Sequence, residues 1–464
     1  EEPTQWRGLM ICGLIMYLTT SMGQTLAISG WPYLRTIDPT VNVSFFGLVQ
    51  ALTRYCHAIG SCAFAIHAYT TKKFKRALII GRVISVVGCT FYIFIEVFSP
   101  SYRRYAYMAK FLMQSVAEGS LIVVRSYVPR MSREVDRQHA FSIISASNML
   151  AIVSGPLVQL ACHGLPEEGT PLLGNWLKFN VYTVPIWISL ALNLVTLFIA
   201  IFYFHEPKLN ELEGETQLPL GKSMKKAWAQ IKKLDRGLVV MCFVEKSVIS
   251  YGFAAMYTIM SPYITESFNL GEASSLFIMS VAQTGLGFIS LFTVAAFVFT
   301  PIARIAKARY LFPFALSCYF FMYIFSYPWP GITETIPRRD FGQNATNPYG
   351  CDWTRYDWCG EELHITNHYA WLAVTAVLFG IGIPISLISF DTTFSRVLGA
   401  IDQNIMQGLL IIMDDLALSV APIVSTIAFE AFGPNPMWLT LAGICAVGLT
   451  IWMAFMPKLI RIGI

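Results

Sequence analysis

Long apolar segments alternate with short polar stretches along almost the whole chain. About 20 apolar residues in a helix cross the hydrocarbon core of a bilayer, and twelve segments meet that length. We predict transmembrane helices over residues 8–34, 44–69, 77–98, 105–128, 139–163, 180–204, 237–262, 272–299, 310–327, 368–393, 403–430 and 437–457. The first segment is too long for the core of a signal peptide, so we expect it to be retained. The pattern predicts an all-α membrane protein.

Composition supports that class and excludes several others. Hydrophobic residues make up 55% of the 464 residues, charged residues make up 13%, and the mean hydropathy is +0.55. The net charge of +5 is spread over the polar stretches, whereas a nucleic-acid partner would need a concentrated basic patch. The chain has no P-loop, Rossmann glycine pattern, nucleophile elbow or metal motif. We therefore expect no enzyme activity, no cofactor, no metal and no nucleic-acid partner.

The distribution of basic residues predicts the orientation. If the N-terminus is cytosolic, 21 of the 33 Lys and Arg residues lie on the inner side and 7 on the outer side. Cytosolic loops carry the excess of Lys and Arg, so we expect both termini in the cytosol. The polar inner stretch 205–236 then links two bundles, 1–204 and 237–464. Residues 222–233 within it form either a solvated connector or an amphipathic helix on the membrane surface.

The long outer loop, residues 328–367, carries candidates for covalent modification. Asn344 begins an Asn-Ala-Thr sequon, which predicts glycosylation. Cys351 and Cys359 lie eight residues apart in a loop that faces an oxidising space, which predicts a disulfide. His364 and His368 are nearby, but their spacing matches no tetrahedral metal site.

Six spans, a central inner loop and six more spans resemble the major facilitator superfamily. Local matches are the run Val124–Pro129 followed by Asp136 and Arg137, and Ser154-Gly155-Pro156 in span five. The resemblance implies two pseudo-symmetric six-helix bundles that rock around a midplane site for a small molecule or ion. Residues 66–76, the loop between spans two and three, keep only the basic residues of the superfamily's usual pattern there.

Further matches resemble the lysosomal branch of that superfamily linked to neuronal ceroid lipofuscinosis. They are Trp31–Leu34, Ile37–Pro39, the outer loop from Gly350 to Cys359, and Gly380–Pro384. This resemblance implies a multi-pass protein of the lysosomal or late endosomal membrane. The predicted inner stretches contain no acidic dileucine sorting signal, so that location rests on the resemblance alone.

Charged residues inside the predicted spans are the candidate functional groups, because a charge at the centre of the bilayer costs about 2.5–3.5 kcal/mol. Glu118 and Arg125 lie two turns apart in span four, on one face of the helix. Glu118 is a candidate for proton coupling or substrate binding, and Arg125 for contact with an anion. The alternative is a fixed ion pair, or a latch between Arg125 and Asp136 beside Arg137.

Two further residues of the first half are candidates. Arg54 lies near the middle of span two, where it requires an acid such as Glu118 or a bound anion. His57, one turn away, is either a sensor of acidity or a histidine satisfied within the core. Gln24 in span one is a candidate hydrogen-bonding residue of the cavity.

The second half supplies its own charged candidates. Glu245 and Lys246 are neighbours in span seven and point about 100° apart, so at most one faces a cavity squarely. Asp414 and Asp415 lie in span eleven, where one could carry a proton and one could pair with Lys246. Further candidates are a gate or latch formed by Asp391 and Arg396, and a hydrogen-bonding residue at Tyr251.

Acids and bases at mid-depth in both halves favour a secondary transporter, with protons as a possible co-substrate. A lysosomal anion channel for chloride is the second hypothesis, with deep basic residues lining the path. A receptor or scaffold that does not transport is the third, because a fold does not fix function. We expect membrane lipids as neighbours and a monomer.

Overall fold

The computed structural model of the chain describes most of its length. The described residues are 4–71, 73–132, 137–166, 170–172, 177–206, 235–268, 270–299, 306–341, 349, 351–359, 362–398 and 404–461. The inner stretch predicted to link the bundles therefore lies largely outside them, as does Asn344.

Helices account for about four-fifths of the described residues. They are α1 Trp6–Ile37, α2 Val43–Thr71, α3 Phe74–Ile93, α4 Pro100–Gly119, α5 Ile122–Met131, α6 Arg137–Ala161, α7 Val184–Phe202, α8 Arg236–Ser267, α9 Glu272–Phe299, α10 Ala308–Ser326, α11 His368–Leu398, α12 Asn404–Phe432 and α13 Pro434–Arg461. Short 3₁₀ turns cover Ile95–Val97 and Asp357–Cys359.

Within the described part of the chain, nine helices are long and apolar enough to cross a membrane. They are α1, α3, α7, α8, α10, α11, α13, and the apolar stretches Ser274–Phe297 of α9 and Ile412–Phe432 of α12. The other three predicted spans coincide with α2, with α4 and α5 together, and with α6. The predicted all-α membrane fold is confirmed.

The fourth predicted span differs from the expectation of one continuous helix, because it breaks at Ser120 and Leu121 into α4 and α5. At the break the backbone makes short i to i+3 hydrogen bonds, from the Ser120 amide to the Ala117 carbonyl and from the Leu121 amide to the Glu118 carbonyl. The Ser120 hydroxyl also donates to the Ala117 carbonyl, at 2.7 Å. Serine competes in this way with regular helix bonding, and the break separates Glu118 from Arg125.

Two small hairpins lie outside the helices. Strands β1 (Thr170–Leu172) and β2 (Leu177–Phe179) pair antiparallel, as do β3 (Thr333–Pro337) and β4 (Glu362–Thr366). The second hairpin lies in the predicted outer loop, where Cys351 and Cys359 are joined as the expected disulfide.

That outer loop packs onto the helix ends of the same unit. The Trp358 ring lies 5.4 Å from the Phe429 ring between centroids. Gly433, with a φ of +78°, begins the turn into α13, and a Cβ there would lie 2.9 Å from the Trp358 ring. Glycine is required because it adopts this φ without strain and leaves room for the indole.

The chain divides into two compact units. The first comprises Glu1–Lys208 and Ser261–Gly287, and the second comprises Leu209–Met260 and Phe288–Ile464. The end of α8 and the start of α9 thus belong to the first unit. The division drawn from the sequence, into bundles 1–204 and 237–464 joined by the linker 205–236, stays a prediction.

Small residues let helices of the first unit approach closely. A Cβ added at Gly119 of α4 would lie 2.5 Å from the Ser61 amide nitrogen of α2. One added at Gly60 would lie 2.7 Å from the Val116 carbonyl oxygen. Both of these neighbours are backbone atoms, so a side chain at either glycine would have to move the backbone of the facing helix. This crossing fixes α4 against α2 just beside Glu118.

The turn between α1 and α2 is fixed by charge. The Asp38 carboxylate accepts a hydrogen bond from the Thr40 hydroxyl at 2.6 Å and pairs with Arg104 at 2.5 Å. Burial acts to raise the pKa of Asp38, but these hydrogen bonds and the guanidinium outweigh it and hold the pKa below its usual value. The pair therefore stabilises the fold above the ordinary aspartate pKa and is lost only at strongly acid pH.

We predict that Gly119→Ala destabilises the protein by about 1–3 kcal/mol, because its methyl group forces apart two helix backbones. Gly443→Ala on α13 is the matched control, since no atom lies within 4 Å of a Cβ placed there. The control should be neutral or stabilising by about 0.5–1 kcal/mol. Thermal unfolding of both variants in detergent measures the difference, and equal midpoints would contradict this close crossing.

Candidate functional site

Glu118 ends a short hydrogen-bonded chain in the first unit. Its Oε1 accepts a hydrogen bond from Gln114 Nε2 at 3.0 Å, and Gln114 Oε1 accepts one from the Ser85 hydroxyl at 2.8 Å. Glu118 is half-buried, and its Oε1 would lie 3.2 Å from a Cβ at Gly23 of α1. The glycine leaves the space that the carboxylate occupies, so α1, α3 and α4 together position this acid.

Two buried basic residues stand near Glu118, and neither was selected from the sequence. Arg82 of α3 is fully buried and donates to the Thr19 hydroxyl at 2.9 Å and to the Ala117 carbonyl at 3.2 Å. Lys110 of α4 is fully buried, with Nζ 3.9 Å from the centre of the Phe111 ring. Their presence inside predicted spans was the signal that could have identified them.

The other candidates of the first half are less well placed. Arg54 is half-buried and makes no hydrogen bond or ion pair within the described residues, so the expected pairing with Glu118 is not seen there. Gln24 of α1 packs against Gly155 of α6. A Cβ added at Gly155 would lie 2.5 Å from the Cβ of Gln24. The side chains of Arg125 and Arg137, and the whole of Asp136, lie outside the described residues.

An ion pair joins α8 to α12 in the second unit. Lys246 Nζ lies 3.3 Å from Asp414 Oδ2, with 13% and 25% of the two side chains exposed. The Ser250 hydroxyl, one turn along α8, donates to Asp414 Oδ1. Asp415 is half-buried beside them. The pairing of Lys246 with one of the two aspartates, left open by the sequence, is thus observed for Asp414.

Glu245 points away from that pair. It is fully buried, and its Oε2 would lie 3.1 Å from a Cβ on Gly448 of α13. Neither of its carboxylate oxygens has a hydrogen-bond partner in the described part of the chain. An ionised carboxylate in such surroundings lacks the partners that would offset the cost of its burial. The roles of the two neighbours differ: one bridges helices and the other lies inside the bundle.

The remaining candidates of the second half are exposed or at an edge. Tyr251 is half-buried on α8, and its hydroxyl has no partner among the described residues. Asp391 and Arg396 on α11 are both exposed. Arg396 makes no ion pair within the described ranges, so no latch between the two is observed there.

An unexpected ion pair ties the end of α8 into the first unit. Arg35 near the end of α1 binds Glu266, with only 13% and 2% of the two side chains exposed. The ring of His163 lies 4.5 Å from that of Phe277 in the start of α9. Gly287 completes the contact, since a Cβ there would lie 3.2 Å from the Val153 side chain. Residues 261–287 are therefore held by charge, by ring packing and by a close backbone approach.

Comparisons with known proteins agree with this architecture. The sequence profile of the Major Facilitator Superfamily matches residues 9–337. The Xenopus laevis protein named Major facilitator superfamily domain-containing protein 8 is 23% identical over 471 residues, which cover 96% of this chain and 89% of that relative. Among solved structures, the nucleoside transporter NupG has a TM-score of 0.63 at 13% identity, with 96% of this chain and 98% of that chain covered.

A second similar structure is a bacterial homologue of the human lysosomal transporter Spinster in an inward-facing, occupied conformation. Its TM-score is 0.61 at 12% identity, with 100% of this chain and 96% of that chain covered. At such identities the likeness establishes the shared fold, and the roles of individual residues must be argued from this chain itself.

We predict that Lys246 and Asp414 are energetically coupled by about 1–3 kcal/mol, because removing one leaves the other charge partly buried and unpaired. Thermal unfolding of Lys246→Met, Asp414→Asn and the double variant measures the coupling. The exposed pair Lys458 and Asp235, 3.9 Å apart with 51% and 47% exposed, is the control and should give less than about 1 kcal/mol. Equal coupling energies in the two pairs would show that the internal ion pair stabilises the fold no more than an exposed one does.

Proposed function

The chain belongs to the major facilitator superfamily, and from this premise we propose that it is a secondary active transporter. It moves a small polar or anionic solute across an endolysosomal membrane by alternating access, coupled to protons. The observation that carries the proposal is the ion pair between Lys246 and Asp414, which joins two helices inside the span region. The resemblance to the lysosomal branch supports the location.

The ion pair has the properties that coupling requires. Taking two charges out of water is expensive, and their attraction offsets the cost only while both are present and ionised. A proton on Asp414 removes the attraction, and an anionic group of a solute competes for Lys246. Either event releases α8 from α12 at this point. The pair is therefore a place where proton and solute binding change the same contact.

Glu118 is the corresponding acid of the first unit. It is half-buried and receives a hydrogen bond from Gln114, which in turn is held by Ser85. Protonation would add an O–H donor to the carboxyl group and would weaken the charge-assisted hydrogen bond that Glu118 accepts from Gln114. The acid is thus connected to α3 and α4 rather than isolated, which supports a role in coupling.

Arg35 and Glu266 supply a contact that alternating access must break. Glu266 belongs to the second half of the sequence, yet it lies in the first compact unit. A proton on Glu266 would remove the attraction between the two side chains. We propose that the pair closes the lumenal side of the carrier.

The channel hypothesis has weaker support. The basic residues that would line its path are Arg54, Arg125 and Lys246. Lys246 is paired with Asp414, Arg54 is half-buried, and the side chain of Arg125 lies outside the described residues. A carrier, in contrast, needs basic groups whose partners can be exchanged.

Electrical recording on solid-supported membranes with purified protein tests the proposal. Jumps of solute concentration across a panel of carboxylates, phosphates and zwitterions should evoke a transient proton current for at least one class. We predict that Glu118→Gln and Asp414→Asn each remove the pH dependence of that current, because neither variant can bind and release the proton. Asp357→Asn in the exposed outer loop is the control and should behave as the wild type.

Two results would overturn this function. Steady unitary chloride currents, unaffected by Asp414→Asn, would establish a channel. No current and no ligand-dependent rise in thermal stability across the same panel would favour a receptor or scaffold.

A further inference from the structure

An apolar groove runs along the second unit between α8 and α12, with α13 at its edge. Its volume is about 700 Å³. The lining residues are Val240, Phe243, Val244, Ser247, Val248, Tyr251, Met413, Leu416, Ala417, Val420 and Ile444. Several of the large apolar side chains are openly exposed, including Val240 at 59% and Leu416 at 47%. The groove is therefore open at the surface of the second unit and is lined almost entirely by apolar groups.

The groove covers about one leaflet. From Val240 to Tyr251 the helix rises by about 16 Å at 1.5 Å per residue, which is half of a hydrocarbon core of about 30 Å. A second, separate pocket of about 90 Å³ lies beyond Tyr251, along α12 and α13. A long chain can thus enter from the Val240 end and reach the middle of the membrane.

Basic side chains surround the end of the groove at Val240. Arg236 lies one turn before Val240 on the same face of α8, and it is exposed. Lys458 of α13 is close, since its Nζ would lie 3.5 Å from a Cβ on Gly237. Arg461 is exposed one turn further on. Asp235, 3.9 Å from Lys458, is the acid beside them, so these four residues carry a net charge of +2.

We propose that this groove binds one anionic phospholipid of the adjoining leaflet. Its acyl chain lies between α8 and α12, and its phosphate contacts Arg236 and Lys458. The chemistry matches at both ends: hydrocarbon fills an apolar channel that opens to the membrane, and clustered basic residues at a helix boundary attract anionic headgroups. Arg236 makes no ion pair or hydrogen bond within the described residues, so it is available for a phosphate.

The site lies directly beside the ion pair. Ser247 follows Lys246 in the groove wall, and Met413 precedes Asp414. The bound chain would fill the space on the lipid side of the only polar bridge described between α8 and α12. Lipid binding would therefore stabilise the distance between α8 and α12 at which Lys246 and Asp414 form their ion pair. The inference stands independently of whether the protein transports a solute.

Native mass spectrometry of the full chain, released from nanodiscs of equal phosphatidylglycerol and phosphatidylcholine, tests the headgroup contact. We expect one phosphatidylglycerol to be retained preferentially. Arg236→Gln with Lys458→Gln should weaken that retention by about 30-fold, which corresponds to ~2 kcal/mol for two basic side chains. Lys75→Gln with Arg76→Gln makes the same change of charge at the start of α3 and should leave retention unchanged. Equal retention of both lipids would overturn the proposal.

A phosphatidylglycerol with a diazirine in its acyl chain tests the groove itself. Crosslinks should map to residues 240–251 and 413–420 and should be lost in Ala417→Phe, whose ring fills the channel. Val447→Phe, at an exposed position of α13 that does not line the groove, is the matched control. Val420→Trp serves as a second blocking variant if Ala417→Phe lowers the melting temperature in phosphatidylcholine. Crosslinks that persist in a folded blocking variant, or that join two copies of the chain, would refute a lipid site.

Discussion

The cost of placing a charge in hydrocarbon determines where each ionisable side chain of these helices can lie. Lys246 meets that cost by pairing with Asp414 across two helices, and Arg82 meets it by donating to Thr19 and to a backbone carbonyl. Lys110 is enclosed by aromatic rings. An ion pair that a proton or a solute can replace is suited to transport, whereas a basic side chain enclosed by packed neighbours stabilises the fold. That distinction separates the ion pair of α8 and α12 from the basic residues inside the first unit.

The close crossing of α2 and α4 fixes the position of Glu118. Gly60 and Gly119 bring two backbones into contact directly beside Glu118, and the break at Ser120 ends α4 just after it. The acid therefore sits at a rigid crossing next to a local change of helix geometry. In the second unit, α8 and α12 are instead bridged by side chains, and the apolar groove runs beside that bridge. Rigid and bridged contacts thus occur in the same fold.

Hydropathy predicted the spans because the bilayer imposes a length and a composition on every crossing helix. The partner of Lys246 was foreseeable as one of two aspartates, because few acids occur in the spans. The pairing of Arg35 with Glu266 was not, since 231 residues separate them and only the tertiary fold brings them together. Lys110 could have been selected as a charged residue inside a predicted span, although its packing against aromatic rings could not be foreseen. The break at Ser120 was missed because local hydrogen bonding leaves no periodic pattern in the sequence.

The distance between spin labels at Thr36 and Ser274 tests most directly whether the protein works by alternating access. Cys62 is replaced by serine so that this exposed thiol is not labelled. The two sites flank the contact between Arg35 and Glu266. A carrier closed by that contact should show a short distance at neutral pH and a second, longer population in acid. Glu266→Gln should show the longer population already at neutral pH. A single distance that changes neither with pH nor in Glu266→Gln would contradict alternating access through this gate.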